Sequence, residues 1–139
     1  MVYTAVLSYH SDVRVDLESI QRVDMHAHSK LVALLRQLKA DERLAEKLLD
    51  HGFGADRTEE FSASKWLKLW NTGKDLWRLK FWNLENLGLR YRVIYVYLPI
   101  QARFVVMAIT ARGDFDYDND DDPLRRRILA SLARTYGIR

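Results

Sequence analysis

The chain has 139 residues, the size of one domain, and its 48% hydrophobic and 29% charged residues suffice to bury a core, which excludes wholesale disorder. It contains no cysteine, which excludes a disulfide framework, a thiol nucleophile and a zinc–thiolate site. No apolar run approaches the roughly 18 to 20 residues of a membrane span, and the start lacks the features of a secretory signal peptide. We therefore expect one soluble cytoplasmic domain, residues 1–139, with no membrane partner.

The first half of the chain predicts one strand followed by two helices. Residues Val2–Ser8 alternate and are rich in Val, Tyr and Thr, which is typical of a strand. Apolar residues recur at three- and four-residue steps from Asp16 to Leu38, which predicts one long helix. Asp41 is a candidate N-cap for a second helix that ends at Gly52. Residues 51–64 contain turn formers without a clear period, so we expect a loop there.

The second half predicts three strands, an acidic loop and a closing helix. The strands, residues 77–82, 89–98 and 103–110, are rich in aromatic and β-branched residues, and their short connections favour an antiparallel meander. After an acidic loop over 113–122, Asp122 is expected as helix N-cap, Pro123 as first helical residue and Gly137 as terminating glycine. The order β-α-α-β-β-β-α is an α+β fold, with an N-terminal helix pair and a C-terminal helix on an antiparallel sheet.

The charge is distributed unevenly along the chain. The 22 Lys and Arg and 19 Asp and Glu leave a formal charge of +3, too small to identify a partner. Residues 62–112, however, hold nine Lys and Arg against two acids, Asp75 and Glu85, which is a formal +7. The next ten residues contain six aspartates. The total is therefore a balance between a basic sheet region and an acidic loop.

Strand alternation collects the basic residues on one face of the predicted sheet. The first of the three strands has on its apolar face Trp77, Leu79 and Phe81, and on the other face Arg78, Lys80 and Trp82. The second has on its apolar face Tyr91, Val93 and Tyr95, with Arg90 and Arg92 opposite. Any register that unites the apolar faces brings these bases together, and like charges on neighbouring strands repel each other. An anion would relieve the repulsion; bases paired with acids from elsewhere in the chain would instead make an ordinary solvated face.

All four tryptophans lie between residues 66 and 82, interleaved with Lys and Arg. Aromatic and basic side chains together commonly hold single-stranded RNA, by base stacking and by phosphate contacts. Trp66, Trp70 and Trp77 fit core positions better, since the first two are one helical turn apart and the third is on the apolar strand face. Trp82 is the stacking candidate.

Three segments, LWRLKF, LRYRVIYVYL and FVVMAITARGDFDY, precede a closing amphipathic helix. In their order and spacing, from about Trp66 to the C-terminus, they resemble the RelE/ParE superfamily of bacterial toxins, including its RelE and HigB branches. The most specific part is the Tyr-Arg-Val-Ile-Tyr run, residues 91–95, preceded by the Trp-Arg-Leu-Lys strand. The initial strand and helix pair also come in the order expected for that fold.

The resemblance implies a toxin of a type II toxin–antitoxin system. Such a protein would be a metal-independent, ribosome-dependent mRNA endonuclease that inhibits translation, requires no cofactor and is neutralised by a cognate antitoxin protein. The motifs correspond to candidate catalytic residues at Lys80, Arg92, Arg112 and Tyr117. The candidate RNA-binding residues are Arg78, Arg90 and Trp82.

These residue types suit metal-free RNA cleavage, which deprotonates a 2′-hydroxyl, stabilises a pentavalent phosphate and protonates the departing 5′ oxygen. Arg92 and Arg112 can spread the phosphate charge as preorganised donors. Tyr117 can act as acid or base, or can stack on a base. Because a free phenol has a pKa of about 10, action as a base needs nearby cations such as Lys80. The alternative for Tyr117 is a loop tyrosine packed on the last helix.

The acidic loop matches a calcium-binding EF-hand only in part. Asp114, Asp116 and Asp118 stand at its positions 1, 3 and 5, but Asn119 replaces the glycine of position 6 and Arg125 replaces the glutamate of position 12. We expect the loop to be solvated, to cap the last helix and to pair with nearby bases, with a looser Mg²⁺ or Ca²⁺ site as the alternative. The four histidines have no spacing typical of a metal site.

Two further functions are compatible with the sequence. The ParE branch of the same superfamily shares the fold but lacks the nuclease residues and acts by binding DNA gyrase, so the fold alone does not decide the function. An inactive homologue that only binds the antitoxin is the third possibility.

Overall fold

A computed structural model describes residues 6–139 as an α+β fold in which helices cover both faces of a five-stranded mixed sheet. The strands are β1 Val6–Tyr9, β2 Phe61–Lys65, β3 Leu76–Phe81, β4 Tyr91–Leu98 and β5 Arg103–Ala111. The helices are α1 Asp12–Val23, α2 Met25–Ala40, α3 Glu42–Glu46, α4 Leu67–Trp70, α5 Trp82–Glu85 and α6 Pro123–Tyr136. Two 3₁₀ turns follow α3 and β5, at Lys47–Leu49 and Arg112–Asp114.

The sheet has the order β1-β5-β4-β3-β2. Strands β2 to β5 pair antiparallel, which confirms the predicted meander of the three later strands. The prediction of a wholly antiparallel sheet is wrong, because β1 lies parallel to β5. Parallel neighbours need a long crossover, and here the helices and the other strands supply it. Residues 2–5 of the predicted first strand lie outside the described residues.

The predicted single helix over 16–38 is two helices that meet at Asp24. Asp24 has an extended backbone (φ −153°, ψ 96°), and its side chain accepts a hydrogen bond from the Ala27 N–H at 3.0 Å. Aspartate is a favoured N-cap because its carboxylate satisfies an N–H that has no partner within the helix, a contribution of about 1 kcal/mol. The break turns Val23, predicted on the buried face, out to solvent at 86% exposure. Asp41 caps α3 as predicted.

The predicted loop over 51–64 conceals strand β2. Phe61 and Ala63 are buried, and Ser62 and Ser64 alternate with them, but such small residues give a weak hydrophobic period. The preceding loop closes tightly on this strand at Gly54, which has a φ of +70°. A Cβ on Gly54 would lie 1.9 Å from the Phe61 carbonyl oxygen, so only glycine fits there.

Two hydrophobic cores lie on opposite faces of the sheet. The first, under α1 and α2, contains the predicted apolar strand residues Trp77, Leu79, Phe81, Val93 and Tyr95. The second, under α4 and α6, contains Trp66, Leu76, Ile94, Met107 and Ile128. Trp66 and Trp77 are therefore core residues as predicted. Trp70 is not, since it is 38% exposed with the Lys65 ammonium 3.8 Å from its ring centre.

Helix α6 has the predicted ends. The Asp122 carboxylate accepts hydrogen bonds from the N–H groups of Leu124 and Arg125, Pro123 occupies the first turn, and Gly137 is left-handed at φ +68°. Ile128 and Leu132 of this helix pack in the second core, and none of its residues lines the cavity at the other end of the sheet face. No helix among residues 6–139 is long and apolar enough to span a membrane.

Candidate functional site

A cavity of about 720 Å³ opens at the end of the sheet face that α6 leaves uncovered. We call it the basic pocket. Its cationic lining residues are Arg57, Arg78, Lys80, Arg90, Arg92 and Arg112. Its acidic lining residues are Glu85, Asp116 and Asp118, and Tyr117 completes one wall. Six of the seven predicted site residues thus meet in one pocket of the size that small ligands occupy.

Strand register brings these side chains together. Arg78 pairs with Ile94 across β3 and β4, so the next step along the two strands sets Lys80 beside Arg92. On the other side, β2 pairs Ser62 with Lys80 and Ser64 with Arg78. The Arg78 Nε donates a hydrogen bond to the Ser64 hydroxyl at 3.1 Å. The clustering of like charges predicted from strand alternation is therefore present.

Lys80 is the most perturbed cation of the pocket. Partial burial lowers its pKa below the 10.5 of a free lysine, and the positive charges of Arg92, Arg78 and Arg112 lower it further, while Glu85 opposes them. Its ammonium also lies 4.7 Å from the centre of the Trp82 ring. A lysine with a lowered pKa can shed its proton and accept one from a substrate more readily than an exposed lysine can.

Arg92 is held by a buried carboxylate. Its Nη1 donates to Glu85 Oε1 at 2.5 Å and to the Tyr91 carbonyl oxygen at 3.0 Å. Only 11% of the Arg92 side chain and 8% of the Glu85 side chain are exposed. Because both hydrogen bonds leave from Nη1, the remaining guanidinium nitrogens can still donate to a ligand. Glu85 fixes the orientation of Arg92, and its negative charge makes the pair formally neutral.

Tyr117 belongs to an aromatic cluster in the wall of the pocket. Its ring centre lies 4.4 Å from that of Phe115 and 5.1 Å from that of Trp66, and the Arg78 guanidinium covers the ring at 4.7 Å. Its hydroxyl is buried and has no hydrogen-bond partner within residues 6–139. Burial raises its pKa despite the opposing charges of Arg78 and Arg92. The environment therefore disfavours the phenolate that a catalytic base would require.

Arg112 and Arg90 form the exposed rim of the pocket. The Arg112 N–H donates to the Arg90 carbonyl oxygen at 2.8 Å, which ties together the ends of β5 and β4. Both side chains are exposed. Unlike Arg92, they can reach a large ligand without a change in the core.

Trp82 does not have the predicted environment. It begins α5 instead of ending β3, it is 6% exposed, and its indole N–H donates to the Gly54 carbonyl oxygen at 2.8 Å. Arg57 lies 4.5 Å from its ring centre and Lys80 4.7 Å from it. No open ring face remains for a nucleic-acid base, so Trp82 supports two cations of the pocket instead of stacking on RNA.

The acidic loop is anchored to helices α4 and α6, and Lys68 of α4 also donates a hydrogen bond to the carbonyl oxygen of Asp118, which lines the pocket. Lys68 of α4 binds the Asp120 carboxylate at 2.7 Å, and Arg125 and Arg126 of α6 bind Asp120 and Asp121. The loop thus caps the last helix and pairs with nearby bases as expected. Asp116 and Asp118 nevertheless face the basic pocket. No three His, Asp or Glu side chains in the described part of the chain are arranged to hold a metal ion.

Four polar residues of the pocket were not predicted from the sequence. Ser62 and Ser64 belong to the unpredicted strand β2, and Arg57 lies in the loop before it with a φ of +67°. Glu85 was recognised only as an acid within a basic segment. Its isolation among nine bases was the one signal that could have marked it as an ion-pair partner.

Comparison with known proteins gives no match to any protein-family model, to a curated protein or to a solved structure.

Proposed function

We propose that the chain is an endoribonuclease toxin of a type II toxin–antitoxin module and cleaves mRNA in the basic pocket without a metal ion. The observation that carries the proposal is the convergence of five arginines around Lys80, whose pKa is lowered. The partners would be a cognate antitoxin protein, mRNA and the ribosome in the cytoplasm. The RelE-like topology is part of the proposal, supported by the antiparallel meander β2 to β5 and the helix pair on one face.

In the proposed mechanism, Lys80 is the general base. Its neutral amine takes the proton of a ribose 2′-hydroxyl, and the 2′ oxygen attacks the adjacent phosphorus. Arg112 and the free nitrogens of Arg92 donate to the phosphate oxygens, whose negative charge increases as the pentavalent state forms. The 5′ oxygen leaves and takes a proton from water, giving a 2′,3′-cyclic phosphate and a 5′-hydroxyl end. Proton abstraction and charge stabilisation thus use side chains of the pocket, and water supplies the proton of the leaving group.

Two residues of the basic pocket, Tyr117 and Glu85, have supporting roles in this mechanism. Tyr117 holds Arg78 against its ring, so that the guanidinium faces the pocket. Glu85 orients Arg92 by direct hydrogen bonding. We therefore treat Tyr117 as a positioning residue and not as the acid or base that its motif suggested.

The experiment compares the wild-type protein with Lys80→Met in a cell-free translation reaction. Primer extension should reveal new mRNA 5′ ends with the wild-type protein and at least 100-fold fewer with Lys80→Met, since a general base contributes roughly 10²- to 10⁴-fold. Lys47→Met, which alters an exposed lysine of the 3₁₀ turn Lys47–Leu49 outside the pocket, is the matched control and should cleave normally. If instead mRNA stays intact in the reaction, and production of the protein in bacteria arrests growth with altered DNA supercoiling, the proposal is overturned in favour of a ParE-like gyrase-binding toxin. Antitoxin binding without arrest would indicate an inactive homologue.

A further inference from the structure

A second depression of about 530 Å³ lies next to the basic pocket. We call it the flanking pocket; its walls include Leu89, Tyr91 and Gly113. Arg90 and Arg112 line both pockets, so the two share a ridge made of two exposed arginines. The proposed cleavage reaction leaves this second pocket unused.

Strand geometry explains why the two pockets are back to back. Successive residues of a strand point to opposite faces of the sheet. Arg92 therefore faces the basic pocket, while Tyr91 packs at the edge of the core under α1 and α2. Tyr91 also pairs with Ala111 at the ends of β4 and β5. A ligand that leaves the basic pocket across the arginine ridge next meets Tyr91.

The flanking pocket combines an aromatic ring with nearby cations. Tyr91 is half-buried, and burial together with Asp24 and Asp114 raises its pKa, so its ring is a neutral phenol at physiological pH. Leu89 adds an apolar wall, and Arg90 and Arg112 supply the positive charge. An aromatic ring for the base beside arginines for the phosphate is the arrangement that binds unpaired nucleotides.

We infer that the flanking pocket binds the base of the nucleotide adjacent to the one in the basic pocket, with the intervening phosphate held by Arg90 and Arg112. The inference rests on the proposed function, because it extends the same RNA strand. The strand must turn around the arginine ridge between the two pockets. A base-paired duplex cannot make that turn, so the substrate is single-stranded at this point.

Gly113 allows the flanking pocket to be blocked without altering the basic pocket. Its φ is not in the left-handed region, and a Cβ built there meets no atom within 4 Å, so the fold tolerates a larger residue. Gly113→Leu therefore adds an apolar side chain to the flanking pocket. Tyr91→Ala removes the ring itself, and Tyr91→Phe retains it.

The test measures the affinity of fluorescently labelled oligouridines of one to six nucleotides by anisotropy. As the oligouridine is lengthened, the affinity of the wild-type protein should increase by about tenfold at the one added nucleotide whose base reaches the flanking pocket. This step is within the range that stacking on one aromatic side chain contributes. Tyr91→Ala and Gly113→Leu should lose that step and still bind the shorter RNA as the wild type does. Tyr91→Phe should keep the step, as should Ala130→Leu, which enlarges an exposed residue of α6 outside both pockets.

The outcomes separate this inference from the proposed function. If the wild-type protein binds and cleaves RNA, but Tyr91→Ala and Gly113→Leu keep the full step in affinity, the flanking site is wrong and the nuclease proposal stands. If the wild-type protein neither binds nor cleaves RNA, both are wrong. If an acidic peptide displaces RNA only from the protein with an intact Tyr91, the pocket is a peptide site and the inference is overturned.

Discussion

One face of the sheet is a helix-covered core at one end and an open cavity at the other. At one end, Leu76 of β3 and Val96 of β4 pack with Ile128 of α6 in a core. Farther along the same two strands, Lys80 and Arg92 line an open cavity. Strand alternation decides which face of the sheet a side chain joins, whereas helix coverage decides whether that part of the face becomes a core or a site.

Arg92 lines the basic pocket, but its side chain is largely buried. A buried charge without a partner is strongly unfavourable. Glu85 supplies the partner, and neither side chain is more than 11% exposed. Burial of the Arg92 charge in the pocket therefore depends on its pairing with Glu85.

The largest effect is expected from removing the Arg92–Glu85 ion pair. Arg92→Ala should lower the free energy of unfolding by about 3–5 kcal/mol, because it leaves the Glu85 carboxylate buried without a partner. Urea denaturation followed by circular dichroism measures the change. The double variant Arg92→Ala/Glu85→Ala should be much less destabilised than the sum of the single variants. Additive losses would contradict a buried pair.

The second prediction concerns the pH dependence of cleavage. A general base works when deprotonated, so kcat/KM for RNA, which reports groups of the free protein, should rise with pH, with a midpoint below the 10.5 of a free lysine because the pKa of Lys80 is lowered. Arg78→Gln removes one of the cations that lower this pKa and should move the midpoint to higher pH. Arg126→Gln changes an exposed arginine outside the pocket and should not move it. An unchanged midpoint in Arg78→Gln would remove Lys80 from the role of base.

The third prediction concerns the acidic loop. Asp118 faces the pocket, so Asp118→Asn should increase RNA affinity about two- to fivefold, the effect of one exposed charge. Asp121→Asn is the matched control, because Asp121 pairs with Arg126 and does not line the pocket. Fluorescence anisotropy with a fixed oligonucleotide measures both. Equal gains in the two variants would indicate a general effect of net charge instead of a local one.

The smallest expected effect concerns Tyr117. Its buried hydroxyl has no hydrogen-bond partner in the described residues, so Tyr117→Phe should leave stability unchanged or raise it by about 1 kcal/mol. Cleavage should persist, because the ring that supports Arg78 remains. Urea denaturation measures the stability of the variant, and primer extension measures its cleavage of mRNA. Loss of cleavage in a stable Tyr117→Phe protein would restore the hydroxyl to the chemistry.

The sequence predicted which residues share a face of β3 and of β4, because the alternation of large apolar and charged residues is a strong signal. It also predicted the ends of α6 from Asp122, Pro123 and Gly137. It did not predict β2, because the Ser and Ala residues of this strand give little hydrophobic periodicity. The two pocket residues of β2, Ser62 and Ser64, were therefore not predicted either. It placed Trp82 on the charged face by extending the strand one residue too far. Burial of Tyr117 and pairing of Glu85 depend on tertiary contacts that local patterns do not contain.

The salt dependence of RNA binding tests most directly whether the uncovered end of the sheet is the RNA site. For single-stranded RNA, the slope of log affinity against log salt concentration is about −0.7 for each phosphate contact. Arg112→Gln should therefore make the slope shallower by about 0.7, and Arg126→Gln, an exposed arginine of α6, should leave it unchanged. Equal slopes for the wild type and Arg112→Gln, or the same change in both variants, would contradict the account.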